Sequence, residues 1–271
     1  MAGVIGTPIR HSLSPVIVNT AFEALGVDWS YLAFEVASED VPAAVQGMRA
    51  LRFGGLSVTM PHKERVAELV DRRSRDADAL GAVNCVVLDG DELVGENTDG
   101  PGFLEALRSD LDFDPRERRA TVLGAGGAAR AVVLALARAG IADVAVVNRT
   151  RANGERAAAL AGPAGRVADA IEAVPAADLV VNATPLGMTE GGMAVDPALL
   201  QPGQAVVDLI YHPSETPLLV AAAARRCAVA NGLGMLVHQA AHAVRLWTGL
   251  DPPVAAMREA AVTAMRADKK P

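Results

Sequence analysis

The sequence predicts an α/β fold with parallel sheets covered by helices on both faces. A length of 271 residues allows one or two domains, at roughly 150 residues per domain. The hydrophobic share of 51% can supply a sizeable core, and it argues against disorder. Short apolar runs alternate with helical patterns along almost the whole chain. This alternation indicates parallel strands joined by helices that cover both faces of a sheet.

In the first hundred residues, start and stop signals separate strands from helices. Ser14-Pro15 opens a helical pattern that Gly26 ends. The turn Asp89-Gly90-Asp91 is typical of a β-hairpin. The predicted strands are residues 1–5, 31–36, 55–60, 84–88 and 92–96, and the predicted helices are residues 14–25, 41–51 and 61–70.

A second series of strands and helices follows Gly102, and the chain contains no internal repeat. The tail predicts two helices and then a frayed end at residues 268–271. The predicted strands of this part are residues 120–123, 144–148, 179–182 and 205–209, and the predicted helices are residues 128–139, 155–161, 236–246 and 254–267.

The composition excludes several classes of function. Taking 32 acidic from 25 basic residues gives a net charge of −7, which argues against binding nucleic acid or an anionic membrane. A small anionic substrate remains possible where basic side chains cluster. No apolar run is long enough to span a bilayer, and the first residues lack the pattern of a secretion signal. We therefore expect a soluble cytoplasmic protein.

The cysteines and histidines predict neither a disulfide nor a metal site. Cys85 and Cys227 lie far apart in sequence, and no His or Cys cluster has the spacing of metal ligands. Two buried free thiols in a reducing compartment are the expected state.

A glycine-rich turn follows the predicted strand at residues 120–123 and opens the next helix. Gly124 permits a tight turn, Gly126 lets the backbone approach a pyrophosphate, and Ala129 lets the helix pack closely on the strand. The helix N-terminus favours the negative charge of the phosphates. This pattern predicts a dinucleotide site, formed by Gly124, Ala125, Gly126, Gly127, Ala128 and Ala129.

The end of the following strand predicts which dinucleotide binds. A binder of NAD usually has an acidic residue there, which holds the ribose 2′-hydroxyl. This chain instead has Asn148-Arg149-Thr150-Arg151, and in an extended segment the two arginines face the same way. Because a guanidinium can bind a 2′-phosphate through two hydrogen bonds, we expect NADP, with NAD use still possible.

Several polar residues of the first half lie where predicted strands end, the place where open parallel sheets bind ligands. Ser14 is a natural helix N-cap before Pro15, and Ser12 would project beside it. Lys63 would begin a helix, where the dipole disfavours an ammonium, so it is either a surface residue or a functional one. His62 is expected to be an exposed residue at the helix start.

Asp99 follows the second strand of the hairpin, in Asn97-Thr98-Asp99-Gly100. A turn stabilised by Asn or Thr side chains is one explanation of this segment. If Asp99 meets Lys63, the two form a proton-transfer unit in which the carboxylate orients the amine and stabilises its ammonium form.

Taken together and in this order, the motifs resemble one family, the shikimate dehydrogenases, over residues 3–249. The matching segments are GTPIRHSLSP at residues 6–15, VTMPHK at 58–63, GAVN at 81–84, NTDG at 97–100, the glycine-rich turn, NRT at 148–150, NATP at 182–185 and GLGMLVHQAA at 232–241.

The resemblance implies reversible, NADPH-dependent reduction of 3-dehydroshikimate to shikimate, a step of aromatic amino-acid biosynthesis. It implies that Lys63 and Asp99 are the catalytic pair. It also implies a substrate domain at residues 1–103, a Rossmann-type NADP domain at 104–231 and C-terminal helices at 232–271 that return to the first domain. The chain would act as a monomer or a homodimer.

The resemblance also assigns ligand contacts residue by residue. Gly232 and Met235 would lie near the nicotinamide at the domain junction, and Thr184 and Leu209 would line the cofactor groove. The implied contacts of the substrate are Ser12, Ser14, Thr59, Lys63, Asn84, Asp99, Tyr211 and Gln239.

Two positions depart from the family pattern. Ser57 stands where the family commonly has Asn, and Asn153 stands where the second arginine of the 2′-phosphate site is usual. Arg151 is the expected substitute for that arginine. Two alternatives remain open: a quinate/shikimate dehydrogenase that uses NAD, and a catalytically silent protein of the same fold. The presence of both Lys63 and Asp99 argues against the silent protein.

Overall fold

The structure, a computed structural model, describes residues 1–189 and 192–267. Within them the chain forms two compact units. The first unit comprises Met1–Gly102 together with residues 236–267, and the second comprises Phe103–Met235. The frayed end expected at residues 268–271 lies outside the described residues.

Twelve strands and eleven α-helices lie within these described ranges. The strands are β1 Ala2–Gly6, β2 Tyr31–Glu35, β3 Gly55–Val58, β4 Arg72–Arg73, β5 Cys85–Asp89, β6 Glu92–Glu96, β7 Arg119–Leu123, β8 Asp143–Val147, β9 Gly165–Val167, β10 Leu179–Asn182, β11 Ala205–Asp208 and β12 Ala228–Asn231. The helices are α1 Ser14–Ala24, α2 Val41–Ala50, α3 Lys63–Ala67, α4 Arg75–Leu80, α5 Asp99–Leu111, α6 Gly127–Arg138, α7 Arg151–Ala159, α8 Ala170–Ala176, α9 Pro217–Ala224, α10 Leu233–Thr248 and α11 Val254–Ala267.

The sheet of the first unit has the strand order β2-β1-β3-β5-β6-β4. Strands β2, β1 and β3 are parallel, whereas β5 and β6 form an antiparallel hairpin beside β3. The short β4 pairs with β6 in parallel. The hairpin predicted from the Asp-Gly turn is therefore confirmed, and it places the residues before β5 and after β6 side by side.

The sheet of the second unit is parallel throughout and has the order β12-β11-β10-β7-β8-β9. Numbered within the unit and read from the other edge, this is the order 3-2-1-4-5-6 of dinucleotide-binding folds. The order reverses at β7, the strand that the glycine-rich turn follows. The predicted fold class, two α/β domains with parallel-rich sheets, is confirmed.

Each face of the second sheet has its own core. Val122 and Val181 point into one buried cluster, whereas Leu123 and Val180 point into another on the opposite side. Side chains of a strand alternate between faces, so apolar runs are required where helices cover both. The first unit has a separate core that includes Ile5, Val58 and Val86.

The tail helix α11 packs against α1 of the first unit. Its buried residues are Met257, Ala261 and Met265, whose spacing of four places them on one face of the helix. The prediction of a helix at residues 254–267 is confirmed to the residue.

Other predictions were wrong in detail. The helix expected at 61–70 is shorter and covers Lys63–Ala67. After it the backbone tightens into hydrogen bonds between residues three apart: Glu68 N–H donates to Arg65 O, and Leu69 N–H donates to Val66 O. The sequence analysis also missed β4, α4, β9, α8, α9 and β12, which are short elements without a clear periodic pattern.

Replacing Met257 with alanine should lower the free energy of unfolding by about 2–5 kcal/mol, since the change leaves a cavity between α11 and the core. Thr263→Ala on the exposed face of α11 is the matched control and should change it by less than about 0.5 kcal/mol. Urea denaturation followed by circular dichroism measures both. Equal effects would mean that α11 is not part of the cooperative core of this unit.

Candidate active site

Lys63 and Asp99 form a close ion pair in the first unit. The ammonium Nζ donates to Asp99 Oδ2 at 2.5 Å, and the two side chains are 22% and 9% exposed. The other carboxylate oxygen, Oδ1, accepts from Asn84 Nδ2 at 2.7 Å. Asn84 in turn accepts from the backbone N–H of Thr98 at 2.7 Å. Both oxygens of the carboxylate therefore have donors, and Lys63 is a paired residue rather than a solvated surface lysine.

The hairpin brings these residues together. Asn84 precedes β5 and Asp99 follows β6, so both lie at the open end of the hairpin, where Asn84 N–H donates to Glu96 O at 3.1 Å. Lys63 is the first residue of α3, and its carbonyl accepts from Val83 N–H at 2.9 Å. The backbone of Lys63 is thus bonded to the residue beside Asn84, which fixes the origin of the lysine side chain.

His62 is buried at 1% exposure, so the expectation of an exposed helix-start residue was wrong. Its Nε2 lies 2.8 Å from the carbonyl oxygen of Val36, the residue after β2. This contact ties the start of α3 to the edge strand of the sheet. No local pattern predicts this contact, because the acceptor is a backbone group 26 residues away.

The two serines of the first unit have roles that differ from those expected. Helix α1 begins at Ser14 itself, its N-cap position is Leu13, and no side chain caps it, so the expected capping role of Ser14 was wrong. Ser12 Oγ instead accepts from the Ser14 N–H at 3.2 Å. Because Ser14 Oγ does not cap α1, its hydroxyl can serve a ligand contact.

Thr59 and Gln239 complete the polar set of the first unit. Thr59 follows β3, and its N–H donates to Ile5 O at 3.0 Å, which aligns it with the end of β1. Gln239 lies on α10, where its Nε2 donates to Leu236 O at 2.8 Å. A Cβ on Gly102 would lie 2.6 Å from Gln239 N, so α5, which begins at Asp99, approaches α10 at this point.

The glycine-rich turn of the second unit has the geometry that a dinucleotide requires. Gly124 has φ +108°, a conformation that side chains rarely adopt, and its N–H donates to Val147 O at 2.8 Å. A Cβ at Gly126 or Gly127 would meet nothing within 4 Å, so the space beside this backbone is open. No side chain caps the first N–H groups of α6. Unsatisfied donors in open space fit a pyrophosphate.

The expected arrangement of the two arginines was wrong. Strand β8 ends at Val147, and Arg151 is the first residue of helix α7, so Arg149 and Arg151 do not share an extended segment. Arg151 Nε donates to Glu155 Oε1 at 2.9 Å, four residues along the helix. Asn153, at the position of the usual family arginine, accepts from Arg156 at 2.6 Å. Arg149 is exposed just after β8.

Thr184 and Leu209 follow the neighbouring strands β10 and β11. Asn182 Oδ1 accepts from Thr184 N at 3.0 Å and from Thr184 Oγ1 at 2.7 Å, which holds the turn after β10. A Cβ on Gly232 would lie 2.0 Å from Leu209 O, so only glycine fits where the backbone after β12 passes β11. Met235, on the first turn of α10, packs against the core of this unit.

Tyr211 belongs to the second unit, whereas the other predicted substrate contacts belong to the first. Burial raises the pKa of its phenol, so the side chain remains a neutral hydrogen-bond donor.

The sequence analysis missed two residues of this region, Asp208 and Thr216. Asp208 is fully buried at the end of β11, and burial raises the pKa of its carboxyl, although hydrogen bonds from Thr216, Ile210 and Asn182 oppose that shift. A carboxylate directly after an apolar strand was the signal in the sequence. Thr216 had no comparable signal.

Both cysteines are free and buried, as predicted. Among the described residues, no group of three His, Cys, Asp or Glu side chains could hold a metal ion. In the same part of the chain, no helix combines the length and the apolar character needed to cross a membrane.

Family comparisons match this architecture in three parts. Residues 4–86 match the family model for a shikimate dehydrogenase substrate-binding domain, residues 107–187 that for shikimate/quinate 5-dehydrogenase, and residues 232–262 that for the shikimate 5′-dehydrogenase C-terminal domain. A relative from Geobacter metallireducens, named shikimate dehydrogenase (NADP(+)), is 46% identical and the match covers 97% of this chain and 96% of the relative. The chain belongs to the shikimate dehydrogenase family.

Solved structures of this family superpose closely on the chain. Shikimate 5-dehydrogenase from Thermus thermophilus, in complex with NADP(H) and shikimate, is 39% identical with a TM-score of 0.91, and the match covers 97% of this chain and 98% of that one. Quinate dehydrogenase from Corynebacterium glutamicum, in complex with NAD, is 33% identical with the same TM-score and coverage. The family resemblance read from the motifs is confirmed.

The serines of this shikimate dehydrogenase family member offer a test of the corrected geometry. Ser12→Ala should cost about 0.5–1.5 kcal/mol of stability, because it removes the acceptor of the Ser14 N–H. Ser14→Ala should change stability by less than about 0.5 kcal/mol, since it removes no cap. Thermal and urea unfolding measure both. A larger loss in Ser14→Ala than in Ser12→Ala would restore the capping role.

Proposed function

We propose that this protein is an NADP-dependent shikimate dehydrogenase, which reversibly reduces 3-dehydroshikimate to shikimate in the biosynthesis of aromatic amino acids. The observation that carries the proposal is the Lys63–Asp99 pair with its second carboxylate oxygen held by Asn84. The glycine-rich turn, which suits a dinucleotide, also supports this activity. Relatives that match the chain over nearly its full length support it as well. Two free thiols suit a reducing compartment, and we place the enzyme in the cytoplasm.

The residues of the site would have different roles in hydride and proton transfer. Reduced nicotinamide, when bound, supplies the hydride. Lys63, as an ammonium, donates a proton to the ketone oxygen on which negative charge develops. Asp99 holds the amine in place and stabilises its charged form, while Asn84 fixes the carboxylate. In the oxidation direction, the neutral amine of Lys63 accepts the proton of the substrate hydroxyl.

The remaining polar residues support binding rather than proton transfer. Ser14 Oγ, Thr59, Gln239 and Tyr211 offer hydroxyl and amide groups to substrate hydroxyls and to a carboxylate. They contact groups that do not react, so their loss should raise KM more than it lowers kcat. Lys63 supplies a positive charge held by Asp99, which suits a small anionic substrate.

We further propose that Arg149 holds the 2′-phosphate of NADP after β8. Arg151 contributes less, because its guanidinium already donates to Glu155. Asn153 and Arg156 bond to one another, and the amide of Asn153 supplies a neutral contact where the usual family arginine would supply a charge. This arrangement favours NADP while leaving weak use of NAD open.

A spectrophotometric assay at a wavelength of about 340 nm, with shikimate or quinate as substrate and NADP⁺ or NAD⁺ as acceptor, tests the proposal. We expect the shikimate and NADP⁺ combination to give the highest kcat/KM. Preference for quinate with NAD⁺ would assign the chain to the quinate branch. Absence of turnover in all four combinations would favour a silent protein of the same fold.

Lys63→Ala should lower kcat at least roughly a hundredfold with the Kd for NADP⁺ unchanged, because a positioned acid or base contributes about 10²–10⁴-fold. Lys63→Arg is the matched control. Its guanidinium can keep the pairing with Asp99 but cannot release a proton in a protein, so turnover should remain low. Normal turnover in Lys63→Ala, measured on folded protein, would contradict the mechanism. If Lys63→Arg is active and Lys63→Ala is not, Lys63 contributes its positive charge and does not transfer the proton.

Arg149→Ala should raise the Kd for NADP⁺ by tenfold or more, since a charge-assisted hydrogen bond contributes about 1.5–3 kcal/mol. The Kd for NAD⁺ should change little. Arg225→Ala, which removes an exposed arginine after α9, is the control for loss of one positive charge. Calorimetric titration of each variant with both nucleotides gives the values. Equal weakening of both nucleotides in Arg149→Ala would place this arginine at the shared pyrophosphate or in the fold.

A further inference from the structure

A buried network of hydrogen bonds joins the ends of two parallel strands in the second unit. Asn182 and Asp208 are register partners on β10 and β11, and each has an exposed fraction of 0%. Asn182 Nδ2 donates to Asp208 Oδ1 at 3.0 Å. Thr216, equally buried, donates its hydroxyl to Asp208 Oδ2 at 2.7 Å. The same Asp208 Oδ1 accepts from Ile210 N–H at 3.1 Å.

The partners explain why an aspartate stands at position 208. All three groups that face its oxygens are donors, so an acceptor-only side chain matches them. Thr216 Oγ1 also accepts from Leu219 N–H and thereby caps α9, which leaves its proton for Asp208. An amide at 208 would keep one oxygen for Asn182 and Ile210 but would present a donor to Thr216.

This network reaches residues that the family resemblance assigns to ligand contacts. Through Asn182, whose Oδ1 accepts twice from Thr184, it holds the turn after β10. Through Ile210 and Thr216 it holds the segment that contains Leu209 and Tyr211. No ion or substrate contact is needed for this arrangement, because every bond is internal to the unit.

We propose that Asp208 is a positioning residue for the nicotinamide half of the cofactor site. It acts through Asn182 on Thr184 and through Ile210 on the segment of Leu209 and Tyr211, and it does not touch the reacting atoms. The inference rests on the proposed function, since it concerns the same cofactor. The adenosine half would bind at the glycine-rich turn and Arg149. Thr184 lies beside Gly124, where a Cβ would be 3.1 Å from Thr184 Cγ2, but the hydrogen bonds described above end at Thr184 and do not extend to Arg149.

The separation of the two halves gives a test that does not depend on turnover. In Asp208→Ala, the Kd values for NADP⁺ and NAD⁺ should both rise about tenfold, the scale of a lost hydrogen-bonded contact. The Kd for adenosine 2′,5′-bisphosphate, which has no nicotinamide, should stay within about twofold of the wild-type value. Calorimetry or fluorescence titration on the full chain measures all three.

Two further variants distinguish a specific change in Kd from a general loss of stability. Thr121→Val is the matched control: it removes a buried hydrogen bond from β7 to Ala173 O of α8, two register positions from Asn182 and outside the network, and should leave all three Kd values unchanged. Asn182→Ala cuts the network at a neutral residue and leaves Asp208 two donors. It should reproduce the pattern of Asp208→Ala, and it carries the test if Asp208→Ala does not fold.

A conservative variant at position 208 adds a second criterion. In Asp208→Asn, where one oxygen can still accept from Asn182 and Ile210, the Kd for NADP⁺ should return to within about threefold of wild type. Unchanged dinucleotide Kd values in Asp208→Ala or Asn182→Ala would overturn the inference, as would equal weakening of the bisphosphate. Failure of the wild-type protein to bind NADP⁺ or the bisphosphate would instead overturn the proposed function and this inference with it.

Discussion

Parallel pairing of strands is the constraint on which the rest of this protein depends. In the second unit, Leu123, Asn182, Asp208 and Asn231 are successive register partners across four strands, although more than a hundred residues separate the first from the last. The turns that follow these strands therefore meet at one edge of the sheet. Because a β-carbon is not tolerated at Gly232 and φ is positive at Gly124, backbone as well as side chains is packed closely there.

The first unit obtains its polar cluster differently. Parallel strands β1 and β3 pair up to Ile5 and Val58, so Gly6 and Thr59 lie side by side after this last pair. The antiparallel hairpin then adds Asn84 and Asp99 at its open end. A hairpin brings residues 15 positions apart into hydrogen-bond contact without any crossover. The carbonyl of Lys63 accepts from the N–H of Val83, the residue before Asn84. Residues 83 and 84 therefore hold both partners of the ion pair.

How far the sequence predicts this structure depends on how local each signal is. Strand β6 and helix α11 were predicted with their observed bounds, because each is marked by a strong pattern and clear turn signals. The capping role of Ser14 and the extended placement of Arg151 were wrong. In both cases the helix begins one residue or more before the position that local chemistry favours.

The candidate site, too, was predicted from the sequence only where the signal is local. The pairing of Lys63 with Asp99 was a conditional prediction, because no local rule says that a helix start and a hairpin end will meet. Burial of His62 depends on a carbonyl after β2, which the residues around His62 do not specify. The roles of the individual ligand contacts came from the family resemblance, and they stay predictions until ligands are measured.

Asp99 and Asp208, the two buried aspartates among the described residues, show how one type of side chain can serve two tasks. Asp99 has a cation on one oxygen and an amide on the other, so its charge is balanced at the place of the proposed proton transfer. Asp208 has only neutral donors, and burial raises the pKa of its carboxyl. Its three partners are fixed hydrogen-bond donors of the same unit, so its contribution is to geometry: it holds Asn182, Ile210 and Thr216 in place. The partners of each carboxylate, more than its depth in the fold, therefore decide what it does.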